Sequence, residues 1–199
     1  MSNIISEEEL KDFEKIEGGA RGMALKTIFG FILQEEGEKG LKKLEENLAE
    51  LGYPIKYKTM KSMDFFSLTF KAILLLSIKR VFDYNEENFQ EMGRFGAKFP
   101  LVVRRVMKNL FSINKISKEG PKIWSTYFTK GEFELKKLNP VEKYMVVTLK
   151  DFRVHPLECE YLKGLFSAIA QIVVKEPVVC EETKCPFRGD EYYEFLIRW

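Results

Sequence analysis

Two thiols and a carboxylate are spaced so that they could meet. Cys159, Glu182 and Cys185 fall late in a 199-residue chain and Tyr193 follows, a pattern C-x22-E-x2-C-x7-Y. Thiolate and carboxylate oxygen are ligand types of zinc, which takes four donors in a tetrahedron. Three stand here at suggestive positions, and the next is a tyrosine. The plain alternative is packing, because a buried cysteine behaves as a small hydrophobe and can fill tight positions under a final hairpin. The remaining cysteine is Cys180, and the chain has a single histidine, His155. Histidine-rich metal sites and Ser-His or Cys-His catalytic pairs are therefore excluded unless His155 itself serves.

The elements that must position these residues lie in the second half of the chain. Leu162, Leu165, Phe166, Ile169, Ile172 and Val173 recur at helical spacing, so Cys159 opens a late helix. After Pro177, two strands are expected, about 178–184 and 191–199, with Tyr193, Phe195, Ile197 and Trp199 on one face of the second. Glu182 and Cys185 then end the strand before the last turn. A helix N-terminus laid near that turn would bring the three side chains together, and its dipole and free N–H groups favour thiolate. Ahead of the helix, "KIWSTYF" (122–128), "GEFELKKL" (131–138) and "KYMVVTLKDFRV" (143–154) are read as three strands.

The first half reads as helices. "SEEEL" carries a capping-box pattern at Ser6 and Glu9. Leu25, Ile28, Phe29, Ile32 and Leu33 form one apolar stripe, and Leu41, Leu44, Leu48 and Leu51 form a second after Gly37 and Gly40. Gly52 and Pro54 end that helix. Ser62 is placed as the cap of a helix, Phe65 to Ile78, that is apolar nearly all round and so central in the core. A last helical stretch, about 85–110, has weak points at Gly93 and Gly96 and a break at Pro100. The expected fold class is α+β: one domain over 1–199, with a helical block (1–110) on an antiparallel sheet portion (111–199) of order β-β-β-α-β-β.

The composition narrows the function classes. The chain has 32 Lys and Arg against 30 Asp and Glu, a formal net charge of +2. No overall field favours nucleic acid. The short cluster Arg104, Arg105 and Lys108 is read as the wet side of an amphipathic helix. The longest apolar run is interrupted by Lys71 and too short to span a bilayer, so no membrane insertion is expected. The acidic N-terminus is unlike a signal or basic transit peptide. An odd number of cysteines, all late in the chain, fits a reducing cytoplasm better than a disulfide framework. "GGARG" (18–22) lacks the GK[ST] ending of a phosphate loop and is read as a flexible approach to a helix. No G-x-G-x-x-G, H-E-x-x-H, C-x-x-C or G-x-S-x-G occurs. No residue set specifies a reaction, and a non-enzymatic role is favoured.

The segment 149–199 resembles a 4-vinyl reductase domain, a small-molecule sensory module, through Cys159, "EYLKG" with Gly164, "VVCEETKC" and "RGDEYYEFLIRW". Aromatic-sensing members hold zinc with C-x22-E-x2-C-x7-C. The resemblance therefore implies Cys159, Glu182 and Cys185 as metal ligands, with Tyr193, Cys180 or His155 at the fourth place and zinc as the cofactor. The family shares its fold with subunits of the transport-protein-particle Golgi tether and is related to haem nitric-oxide sensors. The haem sensors' Y-x-S-x-R is absent and His155 precedes Pro156, so no haem is expected. The implied function is a sensory domain holding a small apolar ligand between helices and sheet, with Phe65, Phe66, Phe70, Trp124 and Tyr127 as candidate lining. Output would pass through a homodimer or a protein partner. The alternatives are a ligand-free assembly scaffold and a reductase-like enzyme.

Overall fold

The computed structural model describes residues 13, 15–97, 113–174 and 176–199. The capping box at Ser6, the break at Pro100 and the basic cluster at Arg104, Arg105 and Lys108 lie outside these residues.

A three-residue strand, β1 (Gly19–Arg21), leads into the long helix α1 (Gly22–Glu50) and pairs antiparallel with β2 (Phe65–Ser67). "GGARG" is thus a strand and a helix start. Its Gly22 is required by contact, since a Cβ there would meet the Lys61 carbonyl oxygen at 2.1 Å. The two helices expected within 22–50 are both present and run on as one kinked element, parted at Gly37 by non-helical backbone whose φ of 68° suits glycine. Gly52 follows the helix with φ 85°.

Helix α2 (Leu68–Phe82) is capped by Ser67, whose hydroxyl accepts from the Phe70 N–H at 3.1 Å, five residues later than the cap expected at Ser62. Residues 65–67 are drawn into the β1–β2 ribbon first. Helix α3 (Glu86–Gly96) starts at a reciprocal capping box of Asn85 and Asn88. Helix α4 (Ile113–Tyr127) contains most of "KIWSTYF", which was expected as a strand. Ile123, Trp124, Tyr127 and Phe128 sit one, three and one apart, a spacing that also draws a helical stripe. Trp124 uses it to pack on Phe128 and Phe152, with ring centroids 4.5 and 4.9 Å away.

The C-terminal half then runs β3 (Glu132–Asn139), β4 (Tyr144–Lys150), α5 (Pro156–Val173), β5 (Val179–Lys184) and β6 (Tyr193–Arg198). The four strands form one antiparallel sheet in the order β3-β4-β6-β5. The architecture is α+β, as expected. Residues 122–127 are helical, so four strands, not five, make this sheet.

Two pairings position the late helix. Met145, Val147 and Leu149 of β4 lie opposite Ile197, Phe195 and Tyr193 of β6, and all six are buried. Burying side chains of this size stabilises by roughly 1.5–3 kcal/mol each. On its other side α5 meets α3 backbone to backbone: a Cβ on Gly164 would fall 1.9 Å from the Gln90 carbonyl oxygen, and one on Gly93 2.0 Å from that of Tyr161. Gly93, expected as a weak point of its helix, is a point of close packing.

Candidate functional site

Helix α5 begins at His155, whose backbone is extended and whose Nδ1 accepts from the Leu157 N–H at 3.1 Å. Pro156 follows at the first helical position, where its missing N–H costs nothing. This start fixes Glu158 and Cys159 in the first turns, against β5 and β6.

Cys159, Glu182 and Cys185 converge. Their ligand atoms lie within 4.8 Å of one another, and the two sulfurs are 3.4 Å apart as free thiols. The local fold explains the convergence. Glu182 lies opposite the buried Phe195 in the β5–β6 register, and a bulge between Glu182 and Lys184 turns the strand end inward. Cys185 is then pinned by its N–H, which donates to Asp190 Oδ2 at 2.8 Å. Arg188 closes the turn with a 3.0 Å ion pair to Glu182 Oε2, while Glu182 Oε1 is buried without a hydrogen-bond partner. Cys180 and His155 are not part of this group.

Burial sets the electrostatics. It pushes the Cys159 thiol well above the ordinary range, helped by the Glu182 charge and the Cys185 thiol. The helix N-terminus expected to favour thiolate is outweighed. Burial also raises the Glu182 carboxyl, against the pull of Arg188, and raises Cys180 to about 12. Tyr193 is fully buried, its hydroxyl has no hydrogen-bond partner, and its ionisation is suppressed first by burial, then by the neighbouring Cys159, Glu158, Cys185 and Glu182.

Beside this cluster is a feature that sequence reading missed. Lys71 of α2 and Glu158 of α5 form a buried ion pair, with side chains 1% and 0% exposed. The ammonium sits over the rings of Tyr161, Phe128 and Phe152 at 4.8, 5.2 and 5.8 Å. Burial lowers the Lys71 pKa and the Glu158 charge opposes that shift. The one signal is a lysine inside an otherwise apolar run, which in the sequence reads as an interruption.

The five expected pocket residues differ in exposure. Phe65 is 49% exposed beneath the Arg21 guanidinium, 4.4 Å from its ring centre. Phe66 and Phe70 pack 5.9 Å apart, and Phe66 borders a recess of about 350 Å³ with Glu45, Ile55 and Met60. Phe70 and Trp124 are core, and Tyr127 is half-buried. A larger recess, about 930 Å³, opens at the start of α5, where Phe13, Ile16 and Phe187 provide apolar surface, Lys15, Lys130 and Arg153 provide cations, and His155 and Pro156 form part of the wall.

No family model and no curated protein matches the chain. Solved structures do: the fold is that of the H-NOX proteins. An H-NOX protein from S. oneidensis in its Fe(II)NO ligation state has a TM-score of 0.67 at 11% identity, over 89% of this chain and 98% of that one. The Fe(II) unliganded H-NOX protein from K. algicida has a TM-score of 0.61 at 13% identity, over 89% and 95%. A third, described by the tuning of haem redox potential through porphyrin distortion, has a TM-score of 0.59 at 16% identity, over 90% and 99%. At these identities the likeness establishes the fold.

Two expectations are thereby corrected. The 4-vinyl reductase and Golgi-tether resemblance finds no support, and the likeness found is to the haem sensors that were expected only as relatives. The cofactor expectation of zinc without haem is overturned, because the solved neighbours include proteins described by their haem, and zinc finds no support. Tested against the described residues, a haem finds its donor types at the α5 recess. Of the usual axial ligands, His, Cys, Met and Tyr, its wall offers His155 alone. Its cations, Lys15, Lys130 and Arg153, are matched in number by Glu17, Glu132 and Asp151, and Lys130 pairs with Glu17 at 3.0 Å, so the charge of the recess does not single out propionates.

Proposed function

We propose that the chain is a single small-molecule sensory domain whose ligand site is the recess at the start of α5. The observation that carries this reading is the continuity of one helical turn. His155 borders the recess, Glu158 holds the core ion pair with Lys71, and Cys159 enters the thiol–carboxylate cluster. An occupant that moves His155 moves the other two. The shared fold supports the reading because the solved H-NOX structures include Fe(II) and Fe(II)NO states. Haem is accordingly the first group to test, with His155 as its iron ligand. When bound, haem would supply an iron that takes a diatomic gas. Cys159, Glu182 and Cys185 are assigned to holding a thiophilic metal ion, and output passes to a protein partner.

Haemin titration of the purified protein tests the haem site. The expected result is a saturable, shifted Soret band in the wild type that is lost in His155→Ala. Native mass spectrometry covers the other occupants: a copurifying small molecule released by Arg153→Glu keeps the sensory reading with a different ligand. If haemin binds no better than to His155→Ala and nothing copurifies, the recess is not a ligand site and a scaffold role takes its place.

A further inference from the structure

Glu182 divides its carboxylate between two surroundings. Its side chain is 3% exposed, yet Oε2 makes a 3.0 Å ion pair with Arg188, whose own side chain is 58% exposed. Oε1 is buried and accepts no hydrogen bond. A buried carboxylate oxygen without a donor is costly to keep, and what offsets that cost is a cation or a hydrogen bond. Arg188 serves Oε2 alone. Oε1 is the oxygen left for a metal that also takes both sulfurs, since Cys159, Glu182 and Cys185 each bring a ligand atom within 4.8 Å of the others.

Glutamate alone does not keep its two oxygens apart in this way. Its terminal torsion is broad and roughly two-fold, so either oxygen can face either side until something holds one of them. The turn after β5 supplies the hold. The Cys185 carbonyl accepts from the Arg188 N–H at 2.9 Å and the Asp190 N–H at 3.2 Å, and Asp190 Oδ2 accepts from the Cys185 N–H at 2.8 Å. Gly189, with φ 98°, closes the turn. The same six residues therefore fix one thiol, Cys185, and the guanidinium that grips the carboxylate.

We propose that Arg188 is a positioning residue for a thiophilic divalent cation at this cluster: it holds Glu182 Oε2 and so commits Oε1 to the ion. This rests on reading Cys159, Glu182 and Cys185 as metal ligands. Arg188 acts through Glu182 and is not itself a ligand, so its removal costs affinity without removing a donor. Partners that orient a ligating carboxylate commonly have this effect.

Cobalt(II) is the probe, added to reduced, metal-free protein and followed by its absorption spectrum. The metal reading requires a thiolate-to-cobalt charge-transfer band that Cys159→Ser diminishes, and its absence sinks that reading and this inference together. Given the band, Arg188→Gln should weaken cobalt by about tenfold to a hundredfold, the scale on which such orienting partners act. Arg188→Lys, whose ammonium can make the same single contact with Oε2, should recover most of the loss. In a Glu182→Gln background, Arg188→Gln should cost no further affinity, because the carboxylate that it positions is gone. A role confined to closing the turn predicts the same loss in both backgrounds. That result overturns the inference and leaves the metal set standing. So does an Arg188→Lys variant no better than Arg188→Gln, or an Arg188→Gln affinity within about threefold of the wild type.

Discussion

Lys71 and Glu158 face each other across the α2–α5 contact in a part of the core that admits almost no solvent. Removing water from both charges costs several kcal/mol per ion, so the pair depends on mutual attraction and on the rings around the ammonium. Lys71→Ala leaves Glu158 buried and uncompensated. A loss of about 3–5 kcal/mol in urea unfolding is expected. The double substitution Lys71→Met with Glu158→Leu should recover most of it. A double variant no more stable than Lys71→Ala would show that the pair is not what the core lacks.

The unpartnered Tyr193 hydroxyl makes a prediction in the metal-free state. Tyr193→Phe removes a polar atom that has no hydrogen bond, while the ring keeps its stacking on Phe195 at 6.0 Å. The variant should be as stable as the wild type or up to about 1 kcal/mol more stable by thermal or denaturant unfolding. A clear loss would mean that the hydroxyl has a partner in solution.

Metal affinity should depend on pH in one direction. Burial holds the Cys159 thiol and the Glu182 carboxyl above their ordinary values, so both keep protons more readily than in the unfolded chain. For the metal-free protein the Glu182 contribution is present below its folded value and lost as pH rises through it. A metal must displace the protons on its ligands. Cobalt affinity should therefore rise by about tenfold per pH unit for each proton released, measured between mildly acidic and neutral pH. A flat profile would exclude Cys159 as a ligand.

The helix contact offers a geometric test. Gly164→Ala puts a methyl into the Gln90 carbonyl at a distance no real contact reaches, and neither backbone can retreat without moving its helix. A destabilisation of about 1–3 kcal/mol is expected from overpacking, whereas the same change at Gly37 meets no atom within 4 Å. Gly37 has its own cost because φ there is positive, so a loss at Gly37 reports backbone strain and one at Gly164 reports the helix contact.

Much of this was legible in the residues. The convergence of Cys159 with Glu182 and Cys185 followed from placing a helix start against a strand end, and the buried face of β6 followed from its alternation. What escaped had specific causes. Residues 122–127 carry apolar spacings that satisfy strand and helix alike, and tertiary packing of Trp124 chose the helix. β1 and β2 are three residues each, too short for periodicity to register. Lys71 and Glu158 are separated by 87 positions, and each alone resembles an ordinary surface charge. The α5 recess is assembled from segments near residues 13–17, 129–132, 151–156 and 187, and no local pattern announces it. Gly164 was visible as a glycine, but the carbonyl against which it packs was not.

That glycine contact bears on how far a local change would travel. With no side chains between them at Gly93 and Gly164, α3 and α5 lack the compressible layer through which packed helices usually slide. A tilt imposed at His155 would be carried to the far side of α3 as a rigid-body movement. The exposed face of α3, with Glu87 and Glu91, is then where a binding event at the recess would first alter the protein's outline.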